Sequence, residues 1–252
     1  MLGGGLRPPS DVSPQESDCA GKARARSATM PGTLYVVATP IGNLEDISAR
    51  ALRALREVAL VACEDTRRTR ALLSHFDIHV PTVSYYEHNK LARGPQILRQ
   101  LAEGKSVALV TDAGTPGISD PGGLLVREAR AAGIPVVPVP GPSAVVTALS
   151  AAGVPADRFV FDGFLPVKPG RRLNRLKALR EMETTVVLYE SPHRILAALE
   201  AIREVFGEAP IVVARELTKQ FEEIVSAPAS SHLERLRAGA IRGEFTLVIP
   251  AR

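Results

Sequence analysis

The stretch Val110-Thr-Asp-Ala-Gly-Thr-Pro-Gly-Ile-Ser-Asp-Pro-Gly-Gly123 follows a short β-branched run, residues 106–110 (SVALV), and precedes a segment with helical spacing, residues 124–132. A strand that passes through a glycine-rich loop into a helix is the unit of a parallel sheet, whose loops at the carboxyl ends of strands line the ligand crevice. Gly114 and Gly117 remove side chains, so that a ligand can lie against backbone, and Pro116 stiffens the turn between them. Pro121 suits the first turn of the next helix, with Asp120 expected as its cap. A loop this long with no secondary structure of its own is usually functional.

The same alternation extends in both directions. Residues 34–38 (LYVVA), 58–62 (VALVA), 81–85 and 135–139 (PVVPV) read as short strands, separated by helical spacing such as residues 47–55. Short buried strands alternating with helices predict a mainly parallel sheet covered on both faces. In the second half, residues 159–164, 184–189, 211–214, 222–226 and 244–249 read as strands, and the short gap at 217–221 predicts an antiparallel pair. The expected class is α/β: an N-terminal α/β domain over 31–153 with a mainly parallel sheet, and a C-terminal α/β domain over 154–252 with a mixed one. They join where Gly153 and Pro155 break the preceding helix. A cleft between two domains is the default ligand site. Residues 1–30 combine Gly, Pro, Ser and charge without apolar periodicity and are expected to be a disordered tail. That tail has no apolar segment of the secretory type, and Met30, directly before the first strand-like run, is a second candidate start.

Composition narrows the function classes. The chain has 252 residues, 45% apolar and 23% charged, the balance of a globular protein able to bury one or two cores. It holds 20 glycines and 20 prolines, and 6 of each fall within residues 112–142, so the unusual backbone is local. Cys19 and Cys63 form no CxxC or Cys/His cluster, which speaks against a disulfide framework or zinc site and fits a reducing cytoplasm. No apolar run approaches the roughly 20 residues that span a bilayer. A net charge of +4 permits a polyanionic partner without requiring one. Neither G-x-G-x-x-G nor G-x-x-x-x-G-K-[ST] occurs, which argues against an ordinary dinucleotide or class I methyltransferase site and against triphosphate hydrolysis. His75 and His79 are four apart, but Asp77, Ile78 and Pro81 make that stretch a helix exit; with no third ligand, no metal is expected.

Two further loops stand after strands. In residues 139–144 (VPGPSA), Ser143 is a candidate N-cap and Gly141 permits close approach to a neighbouring loop or ligand. In residues 39–46 (TPIGNLED), Asn43 and Asp46 offer polar groups at the crevice. Charge is concentrated in residues 168–180 (KPGRRLNRLKALR), which carry six basic residues and no acid, with Leu173, Leu176 and Leu179 at helical spacing. Such a cluster can neutralise phosphates, and it can equally be a solvated helix face. Lys168, Arg171, Arg172 and Arg175 are its RNA-binding candidates, joined by Arg67 and Arg68 near the first crevice; the latter group can instead pair with Glu64 and Asp65. Tyr85, Tyr86 and Phe164 are the candidates for base stacking, and only one of the two adjacent tyrosines is expected to face the crevice.

Taken in order, TPIGNLEDI, CEDTRRT, SYYEHN, TDAGTPGISDPG, PGPSA, GFLPVK, YESPHR and ARELTK resemble the bacterial small-subunit ribosomal RNA methyltransferase I family. That family lies within the tetrapyrrole methylase superfamily, the class III S-adenosylmethionine enzymes. The resemblance covers residues 32–249. It implies transfer of a methyl group from S-adenosyl-L-methionine to the ribose 2′-hydroxyl of a cytidine in the decoding region of 16S rRNA. It implies a homodimer acting on the small ribosomal subunit in the cytoplasm, and a cofactor folded into the cleft between two α/β domains. Carried onto this chain, Asp112, Ala113, Gly114, Thr115, Pro116, Gly117 and Ile118 would contact the methionine part and ribose. Pro40 would form the floor, Ser143 and Ala144 the side, and Tyr189 would lie nearer the adenine. The glycine-rich first loop of tetrapyrrole methylases is replaced here by residues 38–43 (ATPIGN), which argues against a tetrapyrrole substrate. A small-molecule methyltransferase of the same fold and a non-catalytic ribosome-binding factor are the competing readings. Transfer to a poorly acidic hydroxyl gains from a general base, for which Glu64, Asp65, Asp112, Lys168, Glu190 and His193 are candidates. Lys168 equally suits a phosphate, and His193, after Ser191-Pro192, equally suits a helix cap.

Overall fold

The structure, a computed structural model, describes residues 30–251. The expectations for the N-terminal tail, Cys19 included, fall on residues 1–29 and lie outside the described residues. The first sheet is formed by β1 (Leu34–Val37), β2 (Leu60–Cys63), β3 (Thr82–Ser84), β4 (Val107–Leu109) and β5 (Val136–Val139), in the order β3-β2-β4-β1-β5. All its pairings are parallel. Between the strands run α1 (Ala49–Glu57), α2 (Thr66–His75), α3 (Lys90–Ala102) and α4 (Gly123–Ala131).

Side chains of a strand alternate between faces, and here both faces are covered. Val37, Val61, Cys63 and Ala108 point to one side, against Ala51 and Leu55 of α1 and Leu73 of α2. Leu34, Leu60, Ala62, Val107 and Leu109 point to the other, against Ile97 and Leu101 of α3 and Leu125 and Ala129 of α4. This is why the strands read as uninterrupted apolar runs. β1 and β4 are neighbours in the middle of the sheet, where the strand order turns back, and the loops that leave their carboxyl ends meet in an isolated bridge. Thr39 and Gly114 exchange both backbone hydrogen bonds, at 2.9 and 3.0 Å.

The second sheet holds β6 (Phe159–Phe164), β7 (Thr185–Glu190), β8 (Ile211–Arg215), β9 (Glu223–Ala227) and β10 (Phe245–Ile249), in the order β6-β7-β10-β8-β9. β6 and β7 run parallel and the remaining pairs antiparallel, including β8 with β9 across the short gap read from the sequence. Two α/β domains, one parallel and one mixed, are thus present. α6 (Pro169–Arg180), α7 (Ile195–Phe206) and α8 (Ala229–Arg237) cover one face of the second sheet through Leu176, Leu179, Leu199, Ile202 and Leu233. The other face is covered by α5 (Ala144–Ala152), whose Val145, Ala148 and Leu149 pack on Val187, Val212 and Val248. α5 precedes the break at Gly153 (φ 64°) in sequence, yet its buried side belongs to the second core.

Two expected caps are corrected. α4 begins at Gly123 with Gly122 in the cap position at φ 143°, so Asp120 is too early to cap it. Ser119 (φ 61°) and Gly122 hold residues 119–122 in a non-helical path that turns Asp120 away from the helix. Likewise α7 starts at Ile195 with Arg194 as its cap residue, not at Ser191-Pro192, and His193 sits exposed in the turn before it.

Candidate functional site

A cavity of about 420 Å³ opens between the two sheets, within the range of small-molecule sites. The loop after β4 supplies one wall through Asp112, Ala113, Gly114, Thr115 and Ile118, and residues 143–144 at the start of α5 supply the side. Tyr189, Glu190, Ser191 and Pro192, at the end of β7, form the second-domain wall. Glu244, Phe245 and Thr246 join them because β10 pairs with β7 in the register Phe245↔Glu190 and Thr246↔Tyr189.

The loop is held rigidly. The Thr39 hydroxyl donates to the carbonyl of Thr111 at 3.1 Å, and the Thr115 hydroxyl to that of Pro142 at 3.3 Å. Gly141 is there for a neighbouring backbone: a Cβ on it would stand 3.0 Å from the Cβ of Ala38. Ser143 occupies the cap position of α5, but its hydroxyl makes no capping bond and lines the cavity instead.

The cavity is acidic, with Asp112, Asp120, Glu190 and Glu244 on its walls and Arg68 the one cation among its described lining residues. Asp112 accepts the backbone N–H of Asp65 at 3.1 Å on one oxygen and lies 3.2 Å from Arg68 with the other. Glu190 is 2% exposed, and its Oε1 accepts the Ser191 N–H at 2.9 Å and lies 3.4 Å from Arg194 Nε; Oε2 is buried without a partner. Burial raises the Glu190 pKa, partly offset by the Ser191 N–H and by Arg194 and Arg172. Burial also pushes the Tyr189 phenol up to about 12, so it enters any chemistry as a neutral hydroxyl. Glu64, just behind the wall, accepts the Thr111 hydroxyl at 3.3 Å and is raised by burial and by the charge of Asp112.

Of the expected cofactor residues, Asp112, Ala113, Gly114, Thr115, Ile118, Ser143, Ala144 and Tyr189 are brought together on this cavity. Pro116 and Gly117 stand outside its lining, and Pro40 lines an adjoining hollow of about 390 Å³ that shares Arg68, Thr111 and Asp112 with it. Of the candidate bases, Asp65 caps α2 and pairs with Arg67 at 2.6 Å, which holds its carboxyl far below the usual range. Lys168 and His193 are exposed and outside the lining. Of the basic candidates, Arg67 and Arg171 are exposed, Arg172 is buried at 8% exposure, and Arg175 is committed to Asp162. Asn43 is used locally, accepting the Glu45 N–H at 3.1 Å. Tyr85 is buried and Tyr86 exposed, and neither lines the cavity, whereas Phe164 does. Residues 244–246 escaped the sequence reading because only strand pairing brings them here. Asp120 escaped it because a cap explained it.

A family model described as Tetrapyrrole (Corrin/Porphyrin) Methylases matches residues 33–232. Over 198 residues the chain is 58% identical to a Pseudomonas aeruginosa protein named Ribosomal RNA small subunit methyltransferase I, covering 78% of this chain and 70% of the relative. A protein of the same name from Escherichia coli O157:H7 is 50% identical over 221 residues, covering 86% and 77%. Among solved structures, a diphthine synthase superposes with a TM-score of 0.69 at 18% identity, covering 87% of this chain and 90% of its own. Uroporphyrin-III C-methyltransferase from Thermus thermophilus, solved with S-adenosylhomocysteine, gives 0.62 at 18% identity, covering 86% and 97%. At these identities the structures speak for the fold alone.

Proposed function

This chain belongs to the tetrapyrrole (corrin/porphyrin) methylase family, in the branch of the small-subunit ribosomal RNA methyltransferases I, and from that premise we propose that it methylates the ribose 2′-hydroxyl of a cytidine in the decoding region of 16S rRNA. It is an S-adenosylmethionine-dependent rRNA methyltransferase. The observation that carries the reading is the 58% identity to a protein of that name over 78% of the chain.

The cavity's donor set fits the cofactor. Bound there, S-adenosylmethionine supplies an activated methyl group on a positively charged sulfonium, and the walls around it are acidic. Ala113, Gly114, Ser143 and Ala144 would let it reach backbone, Asp112 and the buried Glu190 would take its hydrogen-bond donors, and Tyr189 would pack against its base. Loops on two sheets close around the ligand and exclude water, which strengthens each of these contacts. Lys168 and Arg171 at the start of α6, and Arg67 on α2, are exposed cations suited to RNA phosphates. No helix among the described residues is long and apolar enough to cross a membrane. A cytoplasmic location and a homodimer complete the proposal, with the chain divided in sequence into 31–153 and 154–252 while α5 packs on the second core; light scattering tests the dimer, a mass twice that of the chain being expected.

The deciding experiment maps ribose methylation in small-subunit rRNA from cells with and without this chain. One cytidine 2′-O-methyl mark is expected to vanish and to return on complementation, and an unchanged map overturns the reading. Methylation of a tetrapyrrole precursor by the purified protein, with the rRNA map unchanged, would make it a small-molecule enzyme.

A further inference from the structure

Four carboxylates line the cavity among the described residues, and three of them are already committed. Asp112 has one oxygen on the Asp65 N–H and the other beside Arg68. Glu244 pairs with Lys219 at 2.8 Å, its side chain 75% exposed. Glu190 has Oε1 on Ser191 and Arg194, and its buried Oε2 is the oxygen left for a donor of the bound cofactor. Asp120 alone makes no ion pair, and the one side chain within hydrogen-bond reach of it is the Thr111 hydroxyl, whose single proton serves either Asp120 or Glu64.

Resting on the methyl-transfer reading above, we propose that Asp120 is the general base that accepts the proton of the attacking hydroxyl. As the new C–O bond forms and the S–C bond breaks, the bonding pair leaves with sulfur, the sulfonium becomes a neutral thioether, and the hydroxyl proton passes to an Asp120 oxygen.

Its position is built rather than incidental. The preceding Ser119 has a positive φ of 61°, a conformation that a non-glycine residue keeps only when its surroundings impose it. Across the domain boundary, Gly163, at the bulge where β6 shifts register against β7, leaves room for the Ser119 side chain: a Cβ on it would stand 3.0 Å from the Ser119 hydroxyl oxygen. The loop thus lies close against the second domain, and Asp120 lines the cavity. That the cavity takes a polar ligand is shown independently by Glu190, a carboxylate on the β7 wall with a buried oxygen that nothing in the protein satisfies.

The groups facing Asp120 are Glu64 from the end of β2, Asp112 from the same loop, Thr111 behind it and Tyr189 from β7. Arg68 of α2 serves Asp112 and Glu64. Burial, with Glu64 and Asp112 adding repulsion, raises Asp120 to about 6, where a carboxylate is still ionised at neutral pH yet basic enough to take a proton.

The test compares wild type with Asp120→Asn and Thr111→Val. In single turnover at saturating S-adenosylmethionine and small-subunit RNA, Asp120→Asn is expected to transfer about 10²–10⁴-fold more slowly. Its affinity for S-adenosylhomocysteine by calorimetry is expected to change far less than the rate does. The wild-type rate rises with pH through an acid limb that Asp120→Asn lacks, and Thr111→Val, which removes a donor to the ionised form, moves that limb to higher pH. A readout without turnover comes from melting. Because the folded carboxyl holds its proton more tightly than the unfolded one, its ionisation destabilises the fold as pH rises. Asp120→Asn should therefore melt higher than wild type at about pH 8 and equal it near about pH 4. Wild-type transfer with a full rate and an intact acid limb in Asp120→Asn overturns the base assignment and leaves the methyltransferase reading standing. Should Asp120→Asn fail to fold, an unmoved limb in Thr111→Val overturns the assignment instead. No transfer by wild type sinks both.

Discussion

His232 shows how one buried side chain sets a pH response. It is fully buried in α8, with Nε2 3.1 Å from the carbonyl of Ile211 and Nδ1 3.4 Å from Arg235, a pattern that calls for the neutral ring carrying its proton on Nε2. Burial, with help from Arg235, lowers its pKa below the ordinary 6.5. In the unfolded chain the ring takes up a proton as pH falls below that value while the folded ring resists, so stability is lost toward acid. Asp120, raised instead of lowered, acts in the opposite sense over the range from its unfolded value of 3.8 up to about 6. His232→Gln, whose amide can still reach Ile211, is expected to flatten the acid-side fall in melting temperature between about pH 7 and pH 5. An effect of about 1 kcal/mol would move the melt by roughly 2–4 °C. An identical fall in the variant would show that the ring does not titrate this way. At this scale the sequence is legible where a residue's job is local. Gly153 ends α5 at φ 64° as its place in the sequence predicts, and Gly141 lets its loop approach Ala38, whereas the caps at Ser48 and Asp65 emerge only from the structure. Asp120 misleads because an acid before Pro-Gly-Gly is also a good cap, and only the backbone at Ser119 and Gly122 decides between the two.

Among the elements, α6 is where the charge pattern needed coordinates to interpret. Its sequence places basic residues all round, so spacing alone gives no ranking among them. The packing of Leu176 and Leu179 into the second core turns Arg172 inward and brings Arg175 onto Asp162 at the β6 bulge, leaving Lys168 and Arg171 at the exposed amino end. Replacing Lys168 and Arg171 by Ala should therefore weaken RNA binding and reduce the slope of log affinity against log salt by about 1.4–1.8, the equivalent of two phosphates. Filter binding at several salt concentrations reads this directly. A slope unchanged within error would remove both residues from the interface. Replacement of Arg175 should act differently, lowering stability by freeing the half-buried Asp162. The ten strands, by contrast, are legible to within a residue or two, because short β-branched runs between glycine and proline turns have few other fates. What periodicity withholds is the partner: α5 is apolar on a face that either sheet can cover, and it chose the second.

For the molecule as a whole, the two domains touch closely at Gly42, in the loop after β1. A Cβ there would stand 2.4 Å from Lys219 Cγ and 2.9 Å from the carbonyl of Leu217 in the β8–β9 turn, and the backbone cannot give way as a side-chain tip does. Gly42→Ala is expected to destabilise by about 1–3 kcal/mol in urea denaturation and to loosen S-adenosylhomocysteine binding, since the wedge parts walls that the ligand bridges. Normal stability and affinity together would mean that the loop moves aside freely. Nothing in the sequence marks Gly42 as a contact with a turn so far along the chain, and the same holds for residues 244–246 at the cavity. The central place of β10, between β7 and β8, has a consequence for how the protein is made. Of the five strands of its sheet, β10 is synthesised last, so during translation β7 and β8 emerge with no neighbour between them and their hydrogen-bonding edges bare. α5 has meanwhile left the ribosome with Val145, Ala148 and Leu149 facing a sheet that does not yet exist. The first domain can assemble on the nascent chain, but the ligand cavity cannot, because residues 244–246 belong to its wall. An enzyme whose substrate is ribosomal RNA is thus unable to form its active cleft until the ribosome translating it has passed residue 249 and the strand has cleared the exit tunnel.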